Sequence, residues 1–132
     1  MSEASLPNNP LPGRLLSPEE LQLLQTMLAG VRGKPEIKTN LTSVLVEDMQ
    51  DGGMGSVRFL APGAAKRHFG MAVAQAEYVD EDGVPVYITI NVDREDHLFE
   101  IDFWKVDFSP LKRYPRVSDL KAMPTTVADH RA

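Results

Sequence analysis

Three carboxylates have the spacing that acid–base chemistry would need. Glu100 and Asp102 alternate with apolar residues in one predicted strand, so both side chains project from one face, about 6.5 Å apart. Glu77 is predicted to lie two strands away on that face, with its backbone about 9 to 10 Å from that of Asp102. These separations overlap the spacing of the two carboxyl groups in glycoside hydrolases, so a carboxylate-dependent hydrolase is one function that the sequence allows.

Two aromatic residues share this predicted acidic face. Trp104 is the single tryptophan of the chain, and Tyr87 lies among hydrogen-bond acceptors. Aromatic side chains dominate binding energy at many protein interfaces, although a tryptophan at a strand end also often covers the edge of its own core. The sequence favours a non-enzymatic protein-binding domain, immunity-like or inhibitor-like, that uses this face. Its predicted partner-binding residues are Glu77, Tyr87, Glu100, Asp102 and Trp104.

The other motifs predict no catalytic residue, no metal site and no cofactor. The glycines between Gly52 and Gly55 are not followed by the lysine and the helix of a phosphate-binding loop, so a tight turn explains them. Residues 80–83 have their glycine too early for a calcium loop, and a hairpin turn explains them better. Of the three histidines, His97 directly follows two acidic residues, Glu95 and Asp96.

The charge is distributed unevenly along the chain. The net charge of −5 conceals a segment, residues 77–107, that contains ten acidic residues and two basic ones. Such a segment would repel phosphates, so direct nucleic-acid binding is disfavoured and attraction of a basic protein partner is favoured. Acidic hairpin turns that only keep the protein soluble would give the same composition.

The length and composition predict one domain. The chain has 132 residues, of which 42% are hydrophobic, and this is the size of a single core. The absence of cysteine excludes disulfides, and no apolar run has the length of a signal peptide or a bilayer span, so we expect a cytoplasmic protein without membrane contact. Three segments are predicted: a disordered N-terminal segment 1–16, a single domain 17–115 and an irregular C-terminal tail 116–132.

The predicted fold class is α+β, with one N-terminal amphipathic helix packed on a mainly antiparallel sheet of about five strands. Ser17, Pro18 and Glu20 form a capping box, which predicts that a helix begins at residue 18. The apolar stripe of this helix is predicted to contain Leu21, Leu24 and Leu28, widened by Leu23 and Met27. Gly30 or Gly33 can end the helix. Strands are predicted over residues 41–49, 56–60, 71–80, 84–92 and 97–106.

Two hairpin loops set the predicted strand registers. The loop 81–83 ends in glycine, as in a type I turn followed by a left-handed residue, and it places Ala76 opposite Ile88. A four-residue loop over 93–96 then places Ile88 opposite Ile101. The predicted core positions of the closing strand are Phe99, Ile101 and Phe103. One predicted row of the polar face contains Glu77, Tyr87 and Asp102, and the next contains Gln75, Thr89 and Glu100.

Two segments resemble a small bacterial family of unknown function. They are Asp51-Gly52-Gly53-Met54-Gly55-Ser56 with Phe59, and the run Glu100-Ile101-Asp102-Phe103-Trp104-Lys105-Val106-Asp107-Phe108 with Pro110-Leu111. In that family an N-terminal helix, a GGMGS-like turn, a hairpin and a closing strand with a WK-V-D-F pattern recur. The resemblance covers about residues 17–115 and implies one small α+β domain, with no catalytic residues to transfer. Some small acidic bacterial families of similar appearance are immunity proteins, which is an analogy between classes of protein only. A structural or oligomerisation module is a third alternative for the function.

Overall fold

The structure is a computed structural model that describes residues 13–30, 36–60 and 67–124. Within these ranges one helix packs on one antiparallel sheet of seven strands, which confirms the α+β class and exceeds the five strands predicted. The elements are β1 (Arg14–Leu15), α1 (Pro18–Ala29), β2 (Leu45–Asp48), β3 (Val57–Phe59), β4 (Phe69–Val79), β5 (Pro85–Asp93), β6 (Leu98–Lys105), a short 3-10 helix (Val117–Asp119) and β7 (Lys121–Met123). The strand order is β1-β2-β3-β6-β5-β4-β7.

The capping box starts α1 at the predicted residue. The Ser17 hydroxyl accepts a hydrogen bond from the Glu20 amide, and the Glu20 carboxylate accepts one from the Ser17 amide. The buried side of the helix is centred on Leu23, Leu24 and Met27. The predicted stripe was therefore displaced, since Leu21 and Leu28 lie at its margins, half-buried. Gly30 caps the helix, while Gly33 lies outside the described residues.

Strands β1 and β7 lie in segments for which the sequence predicted no regular structure. Arg14 holds β1 in place, because its guanidinium donates to both carboxylate oxygens of Glu20 and to Asp48. At the other edge, β7 pairs with β4 so that Met123 lies opposite Gln75. Both strands depend on partners that are distant in the sequence, and propensity cannot reveal such partners. The remainder of the predicted N-terminal and C-terminal segments, 1–12 and 125–132, lies outside the described residues.

The β4–β5 register is confirmed. Ala76 lies opposite Ile88 as predicted, and Gly83 has a φ of 81°, the left-handed conformation that the turn requires. The central positions of both strands are buried on the side that α1 covers. Two irregularities, at Gly70 and Val73, shift the pairing only toward the beginning of β4.

The β5–β6 register differs from the prediction by two residues. The loop contains three residues rather than four, because Asp96 adopts a left-handed φ of 70° and the Asp93 amide donates directly to the His97 carbonyl. A bulge at Phe99 adds a second shift, so Ile101 lies opposite Ile90 instead of Ile88. Because side chains alternate between the two faces of a sheet, two shifts of one residue return the β6 side chains to the faces that were predicted.

The bulge corrects one predicted core residue. Phe99 is only half-buried, and the Arg67 guanidinium lies 5.3 Å from the centre of its ring. Leu98 occupies the core in its place, together with Ile101 and Phe103 as predicted. The apolar face of the sheet and α1 thus form one continuous core.

A buried ion pair closes the core at the end of β6. The Lys105 side chain is fully buried, and its ammonium donates to Asp80 at 2.8 Å, to Asp82 at 2.7 Å and to the Pro110 carbonyl at 3.0 Å. Burial alone would lower the pKa of Lys105, but the two carboxylates raise it above its usual range. The ammonium therefore stays charged in the interior.

Asp80 also attaches the segment that follows β6. Its carboxylate accepts hydrogen bonds from the backbone amides of Lys112 and Arg113, in addition to the Lys105 ammonium. Although burial raises the pKa of Asp80, these donors bring it below its usual range. The Tyr78 hydroxyl donates to the Arg113 carbonyl at 2.8 Å, so the segment 106–114 is held across the end of the core.

We predict that Asp80→Asn lowers the melting temperature by about 10 to 20 °C, because the substitution leaves the buried Lys105 charge without its fully buried partner. Thermal unfolding followed by circular dichroism measures this change. Asp82→Asn is the matched control, since the Asp82 side chain is 29% exposed, and it should lower the melting temperature by less than about 5 °C. Equal changes for both variants would show that the buried pair has no special role.

Candidate functional site

The candidate site is the face of β4, β5 and β6 that points away from α1. We call it the polar face, and it contains all five residues that the sequence predicted to bind a partner. Glu77, Tyr87, Glu100 and Asp102 are half-buried on it, and Trp104 has 52% of its surface exposed. The structure thus places these five residues on one surface.

The rows within the polar face differ from the prediction because of the shifted β6 register. Glu77 lies opposite Tyr87, whose other neighbour is Trp104 rather than Asp102. The next row contains Gln75, Thr89 and Asp102, and the row after it pairs Asn91 with Glu100. The correction brings the two aromatic residues side by side, and it separates Glu77 from the two carboxylates of β6.

Glu100 and Asp102 are neighbouring carboxyl groups on the same face of β6. Burial and the neighbouring Asp102 carboxyl raise the pKa of Glu100 to about 7, against which Arg58 acts only weakly, at 3.8 Å. The proximity of the two carboxyl groups thus favours the protonated form of Glu100. Asp102 in turn accepts a hydrogen bond of 2.8 Å from the Asn91 side-chain amide. Near neutral pH the Glu100 carboxyl is therefore partly protonated.

A groove of about 260 Å³ lies next to this pair. Thr89 and Gln75 line it and are hydrogen-bonded to each other at 3.3 Å. Tyr87 and Trp104 contribute aromatic surface, and Met123 of β7 contributes a thioether. Ala76, Ile88 and Asp102 also line the groove, and Asp102 is the only charged residue among its lining residues.

An aromatic row extends from the groove along the surface. The Tyr87 and Trp104 rings lie 6.0 Å apart, and Phe108 lies 6.5 Å from Trp104. Phe108 has 67% of its surface exposed although its φ is 63°, a conformation that is unfavourable for a bulky residue. A glycine would relieve this strain, so the backbone alone gives no reason for phenylalanine at this turn.

Sequence reasoning missed three contributors to the site. Asn91 continues the alternation of Tyr87 and Thr89, and this pattern was a usable signal. Met123 had no such signal, because β7 reaches the groove only through its pairing with β4. Phe108 follows the end of β6, where no periodicity predicts the direction of a side chain.

The predicted acidic field is partly neutralised within the protein. Asp80 and Asp82 pair with Lys105, and Asp93 pairs with Arg67 at 2.9 Å. By contrast, none of the ion pairs formed within the three described ranges includes Asp102 or Glu77. The same ranges contain no group of three or more histidine or acidic side chains arranged to hold a metal ion.

We predict that Glu100→Gln stabilises the protein at pH 8 and has no effect near pH 5. A raised carboxyl pKa means that the folded state binds the proton more tightly than the unfolded chain, so stability falls as the pH rises from about 4.5 to about 7. Glutamine imitates the protonated form and removes this loss. Allowing for screening on an open face, we expect the melting temperature at pH 8 to rise by about 2 to 5 °C.

Thermal unfolding at both pH values measures the effect. Glu95→Gln in the exposed β5–β6 turn serves as a control for the removal of one negative charge. The prediction would be contradicted if Glu100→Gln changed the melting temperature by the same amount at pH 5 and at pH 8.

Comparison with known proteins places the chain in a family. No curated protein and no solved structure matches it. None of the helices in the described ranges combines the length and the apolar character needed to cross a bilayer. A family profile matches residues 13–115, a range that contains β4, β5 and β6, the strands of the polar face, but not β7. The predicted resemblance to an uncharacterised family is confirmed, and the chain belongs to the family described as a domain of unknown function, DUF6984.

Proposed function

We propose that this protein is a non-enzymatic binding domain whose polar face binds a basic protein partner. The observation that carries the proposal is the exposed aromatic row beside a carboxylate that has no cationic partner in the described part of the chain. Such a surface supplies apolar contact area and electrostatic attraction together. An inhibitor or immunity protein would use a surface of this kind, in the cytoplasm or elsewhere.

Phe108 supports a role in binding. The residue is held in a strained conformation by the hydrogen bond from its amide to the Lys105 carbonyl, 2.8 Å long, and its ring lies against Trp104 in solvent. Strain at an exposed aromatic residue does not benefit the fold, and such strain often accompanies binding sites. The aromatic row is therefore better explained as a contact surface than as a cover for the core.

Two observations weigh against assembly through sheet edges. The edge strands β1 and β7 have only two and three residues, which gives a second copy little backbone with which to pair. The exposed Leu15 and Leu45 lie together at the β1 edge but form a small patch. An oligomerisation module is the weaker proposal for these reasons.

The carboxyl pair supports a second candidate, a carboxylate-dependent hydrolase. A glutamic acid with a pKa of about 7 is suited to general acid catalysis, and a second carboxylate lies beside it. However, the groove is lined by Asp102 and not by Glu100, so the acid with the raised pKa is not directed into the available space. Binding explains the aromatic row as well, and hydrolysis does not.

We predict that charge reversal on the polar face abolishes partner capture. In a pull-down from lysate of the source cell, the native protein should retain a basic partner at low salt and release it at high salt. The double variant Glu100→Lys, Asp102→Lys should lose at least about nine-tenths of the captured protein, since its like charges repel the partner. The matched control, Glu81→Lys with Glu95→Lys, makes the same change of net charge at exposed turns and should retain it.

Phe108→Gly separates the role of the surface from that of the fold. This variant should have an unchanged or higher melting temperature, since glycine relieves the strain, and should still bind the partner less tightly. Equal capture by all variants would remove the polar face from the proposal. Hydrolysis of chromogenic esters or glycosides that disappears in Glu100→Gln would replace the binding proposal with the hydrolase.

A further inference from the structure

The groove has the size and chemistry of a site for one side chain. Its volume, about 260 Å³, lies below the range of about 300 to 1,000 Å³ that is typical of small-molecule sites. It is open to solvent along the polar face, between the aromatic wall of Tyr87 and Trp104 and the thioether of Met123. These dimensions favour a side chain presented by a partner over a metabolite enclosed by the protein.

The charges at the groove select a cationic side chain. Asp102 is the charged residue among its lining residues, and no ion pair within the described ranges satisfies it. Its Oδ2 atom is held by the Asn91 amide at 2.8 Å, which fixes the orientation of the carboxylate. The neighbouring Glu100 carboxyl adds negative charge when it is ionised. Arg58 of β3, which lies opposite Glu100, is directed to Glu47 at 3.4 Å and to Glu100 at 3.8 Å.

The aromatic wall distinguishes between the two common cations. A guanidinium is planar, weakly hydrated and able to stack on an aromatic ring while it hydrogen-bonds a carboxylate, whereas an ammonium is compact and strongly hydrated. Tryptophan is the best ring for contact with a cation. Met123 offers a polarisable, apolar surface for the methylene groups of the side chain.

We propose that the groove binds an arginine side chain of the basic partner. The guanidinium stacks on Trp104 and pairs with Asp102, and its methylene groups pack between Tyr87 and Met123. This assignment rests on the proposed function, because it names the residue that the polar face recognises in its partner. It also explains why Trp104 lies exposed beside a carboxylate instead of covering the core.

Trp104 provides a direct readout, since it is the single tryptophan of the chain. The probe is a blocked Gly-Arg-Gly-Arg-Gly peptide, titrated into the native protein while the tryptophan fluorescence is recorded. Peptides with lysine or with neutral citrulline in place of arginine serve as controls. We expect saturable binding of the arginine peptide, about three- to tenfold tighter than that of the lysine peptide, and no saturation with citrulline.

Two variants test the residues of the groove. Asp102→Asn should weaken binding of the arginine peptide at least about fivefold, while Glu95→Gln, which removes an equal charge from a distant turn, should change it less than about twofold. Trp104→Leu, studied by calorimetry, is a second variant, at a position where the side chain is half-exposed. It should remove the preference for arginine over lysine.

The outcomes separate the arginine site from the proposed function. Equal affinity for arginine and lysine peptides, with equal effects of Asp102→Asn and Glu95→Gln, would overturn the arginine site. The absence of a saturable response to the arginine peptide would also overturn it. In either case, capture of a basic partner that charge reversal abolishes would leave the binding face intact, whereas loss of both results would remove the proposed function too.

Discussion

The ion pair between Lys105 and Asp80 is the constraint on which the end of the sheet depends. The ammonium and the carboxylate lie 2.8 Å apart, and both side chains are fully buried. A buried charge without a partner is strongly destabilising, so neither residue can leave this arrangement without losing much of the stability of the fold. The same carboxylate accepts the amides of Lys112 and Arg113, and the return of the chain after β6 is fixed by the same interaction.

This constraint also determines what the opposite face of β6 presents to solvent. Because Lys105 points into the core, the alternation of side chains directs Trp104 to the polar face beside Tyr87. The tight turn that follows brings Phe108 against Trp104. The Lys105 ammonium donates a hydrogen bond to the Pro110 carbonyl, which fixes the end of this turn. A structural ion pair inside the protein thus positions an aromatic surface outside it, next to the one carboxylate of the groove.

Local rules predicted the fold where the signals were local. The capping box gave the first residue of α1, and the glycine of the β4–β5 turn gave the correct register. The β5–β6 register was wrong twice, because the left-handed conformation of Asp96 and the bulge at Phe99 have no sequence signature. The faces were nevertheless correct, since burial of the carboxylates would cost far more than a shift by two residues. The roles of Lys105 and Met123 depend on distant partners, and no local pattern encodes them.

We expect the cationic partner to bind the polar face rather than the acidic turns. An NMR titration of the isotopically labelled protein with the arginine peptide tests this expectation directly. It records the amide chemical shifts of all the labelled residues in one experiment. We expect the largest shifts to cluster on the polar face, at Gln75, Tyr87, Thr89, Asp102 and Trp104, and on Met123. Shifts confined to the turns at Glu81 and Asp82 or at Glu95 and Asp96 would contradict it, because they would show attraction to exposed charge without a built site.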